Sequence, residues 1–351
     1  MSAITLFGAG SWGTALSVHL ASTGRDVTLW ARRPEVAEAI RRTGHNPRYL
    51  PDLPVPSSIR VTADLDEAAA AARLWGLAVP SQNLRARARS LQAAAPPEVR
   101  VVSLAKGIEN ETLMTMTQVL EAELDIPSCR IGTLSGPSHA EEVAEGRPTS
   151  LVAAAPTAEA ARTLQRAFMT ERLRVYASTD VLGVEVGGAA KNVLAIAAGI
   201  GDGVGYGDNA KAALVTRGIA EMRRLGQAMG AQPETFSGLS GIGDLVATCT
   251  SDHSRNRRLG ELIGRGHALD EVLDEMEMVV EGVRTTESLT ALAENYDVEM
   301  PIAAAVHSVL FDGKRPGEMV KRLMTRTPKS ELGLPDAVET ADRARRPRQS
   351  T

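Results

Sequence analysis

The sequence has little cysteine, no long uncharged apolar run and no excess of positive charge, and each shortage excludes a class of protein. Cys129 and Cys249 are the only cysteines among 351 residues, so a disulfide framework is excluded. No apolar run reaches the roughly 18 to 20 uncharged residues of a spanning helix, so we expect no membrane insertion. The formal net charge of -4 gives no general attraction to nucleic acid. With no charged leader ahead of the first apolar strand, we predict a cytoplasmic globular protein.

The sequence also lacks the patterns of metal and acyl-transfer chemistry. No spacing of His, Cys, Asp and Glu residues matches a metal site, and no nucleophile-elbow pattern occurs. His139 is a single histidine with no partner in view, which favours a packed or surface residue over a catalytic one. We therefore expect no bound metal.

A glycine turn near the start of the chain predicts dinucleotide binding. A short apolar strand at residues 3–7 leads into the turn, and a helix follows it. Gly8, Gly10 and Gly13 fit G-x-G-x-x-G, a spacing that permits a tight turn, close approach of a pyrophosphate and tight packing of helix on strand. A second strand at residues 26–30 completes the unit, which favours dinucleotide binding over a glycine turn without a ligand.

The end of this second strand indicates which dinucleotide binds. An NAD site usually places Asp or Glu there, whereas an arginine accommodates the 2′-phosphate of NADP. The chain has Arg32 and Arg33 at this position and no acid. We predict NADP(H) as the cofactor. NAD(H) stays open as the alternative, since the two arginines would also fit a solvated surface ahead of a helix.

The alternation of strands and helices ends near the middle of the chain. Further short strands are predicted at residues 74–79, 100–104, 131–134 and 151–154. From Ser178 onward the pattern is helical. The predicted fold class is α/β, with an N-terminal Rossmann-type doubly wound parallel sheet followed by an all-α C-terminal domain. The predicted bounds are 1–178 for the NAD(P)-binding domain, 179–340 for the helical substrate and catalytic domain, and 341–351 for a disordered tail.

A lysine inside a glycine-rich helix is conspicuous, because the chain has six lysines against 33 arginines. Gly183, Gly187 and Lys191 share one helical face at i, i+4 and i+8. Each glycine costs about 1 kcal/mol relative to alanine in a helix, so something must approach this face closely. Either a ligand lies against the face and Lys191 reaches it, or the helix packs tightly and the lysine extends to water.

Three further stretches have the composition of anion sites. Lys106 follows a strand, where a side chain points into the ligand crevice of a doubly wound sheet. Residues 135–142 form a glycine-proline turn ahead of a helix. Ser254 and Arg255 place a capping serine and a fork-shaped guanidinium at another helix start, a combination that receives phosphate. Surface positions and ordinary helix caps are the alternative interpretations, and Asp244 in a nearby glycine-rich loop would also fit a cap.

Short sequence blocks spread over nearly the whole chain carry a family resemblance. In the first half they are residues 8–15, 49–51, 78–82, 105–109 and 135–138. In the second half they are residues 183–192, 197–209, 216–218, 241–250, 254–257 and 279–282. In these blocks the chain closely resembles the NAD(P)-dependent glycerol-3-phosphate dehydrogenases of the bacterial type. Many blocks in one order are far more specific than the glycine turn alone.

The resemblance implies roles for individual residues. Lys191 would be the general acid for a carbonyl, or the base for the alcohol, with Asp244 beside it as the second catalytic residue. The residues implied at the substrate are Lys106, Gly136, Ser138, Lys191, Asp244, Ser254, Arg255 and Asn256. The residues expected at the cofactor are Gly8, Gly10, Ser11, Trp12, Gly13, Arg32, Arg33, Tyr49, Lys106, Ala140, Arg255, Val279 and Glu281. His139 stands where the family more often has phenylalanine.

The activity implied by the resemblance is reduction of dihydroxyacetone phosphate to sn-glycerol 3-phosphate for glycerophospholipid biosynthesis. Its partners would be this small-molecule substrate and no nucleic acid, with a homodimer left open. One alternative is a related dehydrogenase of the hydroxyacid or ketopantoate type, whose substrate is a carboxylate; residues 254–256 argue for phosphate instead. Another is a non-enzymatic NADP-sensing module, which would need no pair of lysines such as Lys106 and Lys191.

Overall fold

The computed structural model describes residues 3–276 and 278–327, so the predicted tail at 341–351 lies outside the described residues. Strands with flanking helices form the first half and helices form the second, as predicted. The strands are β1 (Ile4–Phe7), β2 (Val27–Trp30), β3 (His45–Asn46), β4 (Leu50–Pro54), β5 (Arg60–Thr62), β6 (Leu74–Leu77), β7 (Arg100–Ser103), β8 (Ile131–Ser135), β9 (Thr149–Ala154) and β10 (Leu173–Ser178). The helices are α1 (Ser11–Ala21), α2 (Pro34–Thr43), α3 (Leu65–Ala70), α4 (Leu84–Leu91), α5 (Met116–Glu123), α6 (Ala140–Ala144), α7 (Ala158–Phe168), α8 (Val181–Val204), α9 (Gly207–Met229), α10 (Asp244–Thr250), α11 (Arg255–Gly264), α12 (Leu269–Glu275), α13 (Glu281–Asn295), α14 (Pro301–Phe311) and α15 (Pro316–Met324).

The large sheet has the strand order β10-β9-β8-β7-β6-β1-β2-β5. From β8 to β5 every neighbouring pair is parallel, which is the doubly wound arrangement predicted. β9 runs antiparallel to β8, with Thr133 opposite Ala154, and β10 runs parallel to β9. The predicted parallel sheet is therefore confirmed from β8 to β5, and the pair of β8 and β9 adds one antiparallel step that the sequence pattern did not predict. Only the five-residue helix α6 lies between β8 and β9, and the chain turns back there instead of crossing over.

Other parts of the first half also differ from the sequence pattern. The prolines of residues 44–58 predict a loop, but β3 and β4 pair there as an antiparallel hairpin. β4 pairs only with β3 among the described residues, and an edge strand tolerates proline. The strands β5 and β10 carry no continuous apolar run, and the sequence does not predict them. β10 begins with alternating buried and exposed residues, as expected of a strand at the edge of the sheet.

The strand order reverses between β1 and β6, and this switch point organises the molecule. Ligands of doubly wound sheets bind in the crevice outside the carboxyl ends of the strands at such a point. Gly8 follows β1, Lys106 lies after β7, and Gly136 follows β8. The fold therefore places residues from distant parts of the sequence along one edge of the sheet.

The second half is built around α8, a helix of 24 residues. Asp180 caps its start, accepting hydrogen bonds from the Gly183 N–H and the Gln232 N–H, both at 3.0 Å. Among the described helices α8 alone is long and apolar enough to cross a membrane, but 89% of its apolar window is buried inside the protein. Its composition is that of a core helix, around which α9, α10, α11 and α13 pack.

Glycines bring α8 and α11 into backbone contact. A Cβ added to Gly199 on α8 would lie 1.9 Å from the backbone oxygen of Arg257 on α11. On α11, a Cβ added to Gly260 would lie 2.1 Å from the backbone oxygen of Ile196. Only glycine fits at such a crossing. This close approach places the N-terminus of α11 beside the middle of α8, where Lys191 lies.

Candidate active site

A cavity of about 430 Å³ opens along the carboxyl edge of the sheet, between the two halves of the chain. The predicted site residues that line it are Gly8, Gly10, Ser11, Trp12, Arg32, Arg33, Tyr49, Lys106, Ser138, Ala140, Lys191, Ser254, Arg255, Asn256, Val279 and Glu281. Gly13, Gly136 and Asp244 do not line the cavity. They lie behind its surface and support residues that do.

The glycine turn has the geometry that dinucleotide binding requires. Gly8 has φ +123°, and a Cβ added there would lie 2.4 Å from the backbone oxygen of Ala78. A Cβ added to Gly13 would lie 1.9 Å from the backbone oxygen of Gly8, so Gly13 serves the packing of α1 on the turn. A Cβ added to Gly10 would meet nothing within 4 Å, and Gly10 lines the cavity. The first turn of α1 contains no acidic residue. The space in front of Gly10 therefore fits a pyrophosphate at a helix N-terminus.

The β3–β4 hairpin holds this turn in place. The Asn46 side-chain amide donates to the Ala9 backbone oxygen at 3.1 Å and to Thr14 Oγ1 at 2.8 Å. Ser11 Oγ donates to the Tyr49 backbone oxygen at 3.1 Å. Arg33 Nη2 donates to the Tyr49 hydroxyl at 3.3 Å, which ties the end of β2 to the same hairpin. The predicted loop is thus an ordered support for the cofactor side of the cavity.

Two lysines share one buried carboxylate on the other side. Lys191 Nζ lies 2.6 Å from Asp244 Oδ1, and Lys106 Nζ lies 2.8 Å from Asp244 Oδ2. Lys191 also donates to Thr248 Oγ1 at 2.8 Å, one turn further along α10. Lys106 donates to the Gly136 backbone oxygen at 2.8 Å and to Ser138 Oγ at 3.4 Å. Asp244 is therefore not a helix cap but the anchor that sets the positions of both ammonium groups.

Burial and charge shift the pKa values of this cluster. Burial lowers the pKa of Lys191 to about 8, because Asp244 offsets only part of the cost of desolvating the ammonium. Burial alone would raise the pKa of Asp244, but Lys106 and Lys191 outweigh it and hold this pKa below its ordinary value. Lys191 can therefore exchange a proton near neutral pH while Asp244 stays ionised.

The glycine face of α8 does not lie against the cavity. Gly187 packs against the backbone oxygen of Ser240, which would lie 2.6 Å from an added Cβ, and Gly183 packs against Asp180 and Thr235. The interpretation of this face as a ligand surface is wrong, and tight packing explains the glycines. The accompanying expectation that Lys191 extends to water is also wrong, since the residue is only 6% exposed.

The N-terminus of α11 supplies a candidate phosphate site. Ser254 caps the helix, its Oγ accepting from the Arg257 N–H at 3.2 Å, and the first turn carries no acidic residue. Asn256 donates to Asn192 Oδ1 at 3.0 Å, which fixes this turn to the residue after Lys191. Arg255 Nη1 donates to the Val279 backbone oxygen at 2.8 Å and so stays at the cavity wall. These contacts place a cationic helix start close to the lysine pair.

Glu281 closes the cavity near the sheet. Its carboxylate accepts from the Ser81 N–H at 3.0 Å and from the Ser81 hydroxyl at 2.5 Å. Burial raises the pKa of Glu281 although these two bonds favour the ionised form. The side chain therefore joins α13 to the segment after β6. Its predicted contact with a cofactor would use the carboxylate lone pairs that Ser81 does not occupy.

Sequence reasoning assigned no role to several residues that line the cavity. These are Trp30, Arg87, Asn192, Thr248 and His253. Thr248 lies one turn after Asp244 and Asn192 directly follows Lys191, so position alone was a usable signal for both. The His253 ring lies 5.9 Å from the His139 ring, which gives His139 a neighbour but no catalytic partner. In the described part of the chain no group of three or more His, Cys, Asp or Glu residues is placed to hold a metal ion.

The sheet is doubly wound, with an open glycine turn at its switch point, and a buried lysine lies in the same cavity. Together these features define a two-domain dinucleotide-binding protein of the dehydrogenase class. Comparison with known protein families identifies the family within this class. The family described as NAD-dependent glycerol-3-phosphate dehydrogenase matches with its N-terminal part at residues 3–161 and its C-terminal part at residues 180–321. The chain belongs to this family.

Individual relatives agree with the family match. Glycerol-3-phosphate dehydrogenase (NAD(P)+) 1 of Salinibacter ruber is 68% identical over 340 residues, which cover 97% of this chain and 100% of that protein. The glycerol-3-phosphate dehydrogenase (NAD(P)+) of Chlorobium phaeobacteroides is 50% identical over 331 residues, 94% of this chain and 99% of that one. A crystal structure of glycerol-3-phosphate dehydrogenase from Coxiella burnetii has a TM-score of 0.88 at 36% identity and covers 93% of this chain and 99% of its own.

Proposed function

We propose that this protein is an NAD(P)-dependent sn-glycerol-3-phosphate dehydrogenase that reduces dihydroxyacetone phosphate for glycerophospholipid biosynthesis. The observation that carries the proposal is the pair of lysines on the buried Asp244, which lies between an open glycine turn and a cationic helix N-terminus. A carbonyl beside a phosphate group fits such a cavity. The carbonyl would lie near the lysines and the phosphate at the start of α11.

Lys191 is the proposed general acid in carbonyl reduction. An ammonium stabilises the oxygen as negative charge develops and then gives it a proton, and a pKa of about 8 suits this task near neutral pH. In alcohol oxidation the neutral amine takes the proton instead. Asp244 and Thr248 orient the Nζ atom, since both hold it within 2.8 Å.

Lys106 is the proposed second substrate contact. Its ammonium is tied to Asp244 and to the backbone of Gly136, so a positive charge remains at the carboxyl edge of β7 in either protonation state of Lys191. Ser138 extends the same wall with a hydroxyl. Together they would hold the substrate oxygens against the lysine pair, which reduces the entropy cost of reaching a reactive geometry.

Ser254, Arg255 and Asn256 are the proposed phosphate contacts. A helix N-terminus together with an arginine binds a phosphate through N–H groups and a guanidinium fork. Because the phosphate is remote from the carbonyl, its binding energy can position the reacting carbon.

The cofactor side fits NADP(H) or NAD(H). Gly8, Gly10, Ser11 and Trp12 would hold the pyrophosphate, and Gly13 supports them through packing. The adenosine side is proposed for Arg32, Arg33 and Tyr49, with Ala140, Val279 and Glu281 nearer the nicotinamide. The nicotinamide supplies or accepts the hydride when it is bound. We further propose that the two functions divide near residue 178, with cofactor binding in 1–178 and the substrate and acid-base groups mainly in 179–340.

One assay tests substrate, chemistry and cofactor together. Purified protein should oxidise NADPH, and more slowly NADH, when dihydroxyacetone phosphate is added. Ketopantoate serves as the matched carboxylate substrate, and turnover with ketopantoate but not with the phosphate would overturn the proposal. Binding of NADP without turnover on either substrate would favour a sensing module.

The homodimer and the cytoplasmic location stay predictions, and light scattering on the purified protein tests the homodimer.

A further inference from the structure

Arg87 occupies the adenosine end of the cavity in an unusual setting. Its Cζ atom lies 4.1 Å from the centre of the Trp30 ring, and both residues line the cavity. The indole is fixed, since Trp30 Nε1 donates to the Ala63 backbone oxygen at 3.1 Å. Arg87 Nη1 donates to Ser90 Oγ at 3.0 Å, while its Nε is buried with no hydrogen-bond partner in the described structure. The guanidinium is thus held in place with donors left over.

Three guanidinium groups line this end of the cavity. Arg32 and Arg33 come from the end of β2, and Arg87 comes from α4 on the other side of the switch point. Burial lowers the pKa of Arg87, and repulsion from Arg32 lowers it further, so the two charges are close enough to repel. Within the described residues none of the three forms a salt bridge with an acidic side chain. A concentration of positive charge without a counter-ion costs free energy unless an anion binds there.

We propose that Arg87 is a specificity-determining residue that contacts the 2′-phosphate of NADP from the side opposite Arg32. This inference rests on the proposed function, which places the adenosine ribose at the end of β2. A phosphate dianion would neutralise the repulsion and accept charge-assisted bonds from the free donors of Arg87. The stack on Trp30 holds the guanidinium in advance, so binding would lose little side-chain entropy.

The competing role for Arg87 is to stack on the adenine ring. Adenine is common to both dinucleotides, so stacking would strengthen NAD and NADP binding equally. A contact to the 2′-phosphate would strengthen NADP binding alone. The ratio of the two affinities therefore separates the roles.

The test is calorimetric titration of NADP+ and NAD+ into the full chain and its Arg87→Ala variant. We expect the dissociation constant for NADP+ to rise about tenfold, the value of one charge-assisted contact, while that for NAD+ changes less than about twofold. Adenosine 2′-monophosphate and adenosine 5′-monophosphate, titrated separately, should show the same contrast. Equal weakening of both dinucleotides, or no weakening of either, would overturn the proposal.

Arg89→Ala is the matched control. Arg89 lies on the same helix, is exposed, pairs with Glu123 at 2.9 Å and does not line the cavity, so its loss removes one positive charge without altering the site. We expect no change in either dissociation constant, whereas Arg32→Ala should reproduce the loss of NADP+ selectivity. A shift as large for Arg89→Ala as for Arg87→Ala would assign the effect to overall charge and refute the contact. Because the titrations need no turnover, failure of the enzyme assay and failure of this inference are distinguishable.

Discussion

At the scale of single residues, the cluster of Lys191, Asp244 and Lys106 decides which proton moves. Asp244 is 1% exposed and carries two ammonium partners, so the three groups together hold one positive charge when all are ionised. Removing a proton from Lys191 leaves a neutral cluster. The cluster can therefore give a proton to a developing alkoxide without leaving a buried carboxylate unpaired, because Lys106 remains bound to Asp244.

The pH dependence of turnover tests the role of Lys191. Reduction requires the ammonium, so kcat/KM for dihydroxyacetone phosphate should be constant at low pH and fall as pH rises through about 8, the pKa of Lys191. For oxidation of glycerol 3-phosphate, which requires the neutral amine, kcat/KM should instead rise as pH rises through the same value. Lys191→Ala should lose about 100-fold or more in turnover while calorimetric cofactor binding persists. Near-normal turnover in this variant would refute the assignment.

Replacing Asp244 tests whether it tunes Lys191. Asp244→Asn removes the carboxylate that chiefly offsets desolvation and the repulsion from Lys106, so the pKa of Lys191 should fall. The descending limb of the reduction profile should then move to lower pH. Asp252→Asn is the control, since that side chain is 97% exposed on the loop before α11. An unmoved limb in Asp244→Asn would contradict the argument.

Residues of the site could be predicted from the sequence only where they belong to a recognisable motif. Lys106, Lys191 and Ser254 stand in recognisable blocks, but the bonds from Asp244 to both lysines join positions 53 and 138 residues apart, which no local spacing reveals. Arg87 and Trp30 belong to no motif. Only the fold shows that they meet.

At the scale of elements, the start of α11 tests phosphate recognition. Arg255→Ala should raise KM for dihydroxyacetone phosphate by about tenfold, because one charge-assisted contact is lost. KM for unphosphorylated dihydroxyacetone should stay unchanged. Arg258→Ala provides the matched control, as Arg258 lies on the same helix with a 64% exposed side chain and does not line the cavity. An unaltered KM for dihydroxyacetone phosphate in Arg255→Ala would refute the proposed role of Arg255.

The glycine crossing of α8 and α11 gives a prediction on stability. Gly199→Ala forces a Cβ to within 1.9 Å of the Arg257 backbone oxygen, so the helices must separate, and we expect a loss of about 2 kcal/mol. Gly201→Ala on the same helix meets nothing within 4 Å. Its better helix propensity should add up to about 1 kcal/mol. Denaturant unfolding measures both, and equal effects at the two positions would contradict the packing argument.

Helix α11 was predictable because its signals are local. A serine cap, an amphipathic run and a terminal glycine predict the bounds 255–264 that the structure shows. The glycine face of α8 was not interpretable in this way. Glycine spacing shows that something approaches, but only the structure shows that it is the backbone of Ser240 and not a ligand. The reversal of β9 likewise depends on its pairing with β8, which the apolar pattern does not encode.

At the scale of the whole molecule, a buried carboxylate joins the two halves. Glu185 on α8 accepts from the Thr117 N–H at 3.0 Å and from Thr117 Oγ1 at 2.6 Å, in the first turn of α5. The change from alternating elements to helices predicted two halves, and the chain has them. Nothing in the sequence around Glu185 predicted this contact, because its partner lies 68 positions away.

The pH dependence of stability tests this contact. Burial raises the pKa of Glu185 from 4.5 to about 7, although the bonds from Thr117 favour the ionised form. The folded state therefore holds this proton more tightly than the unfolded state, and the stabilising contribution is complete below about pH 4.5 and is lost as pH rises through about 7. Glu185→Gln should flatten the fall in unfolding free energy over this interval by about 3 kcal/mol.

Glu221 sharpens the comparison, because burial also raises its pKa to about 7 but its carboxylate caps α14 within the helical half. Glu221→Gln should flatten the fall in unfolding free energy over the same pH interval without weakening the link between the halves. Only Glu185→Gln should also remove a rise in proteolytic cleavage between the halves as pH increases through about 7, because only at Glu185 does the ionising carboxylate join α8 to α5. The exposed Glu294→Gln should change neither quantity. Identical cleavage in Glu185→Gln and Glu221→Gln would show that the contact with Thr117 does not hold the halves together.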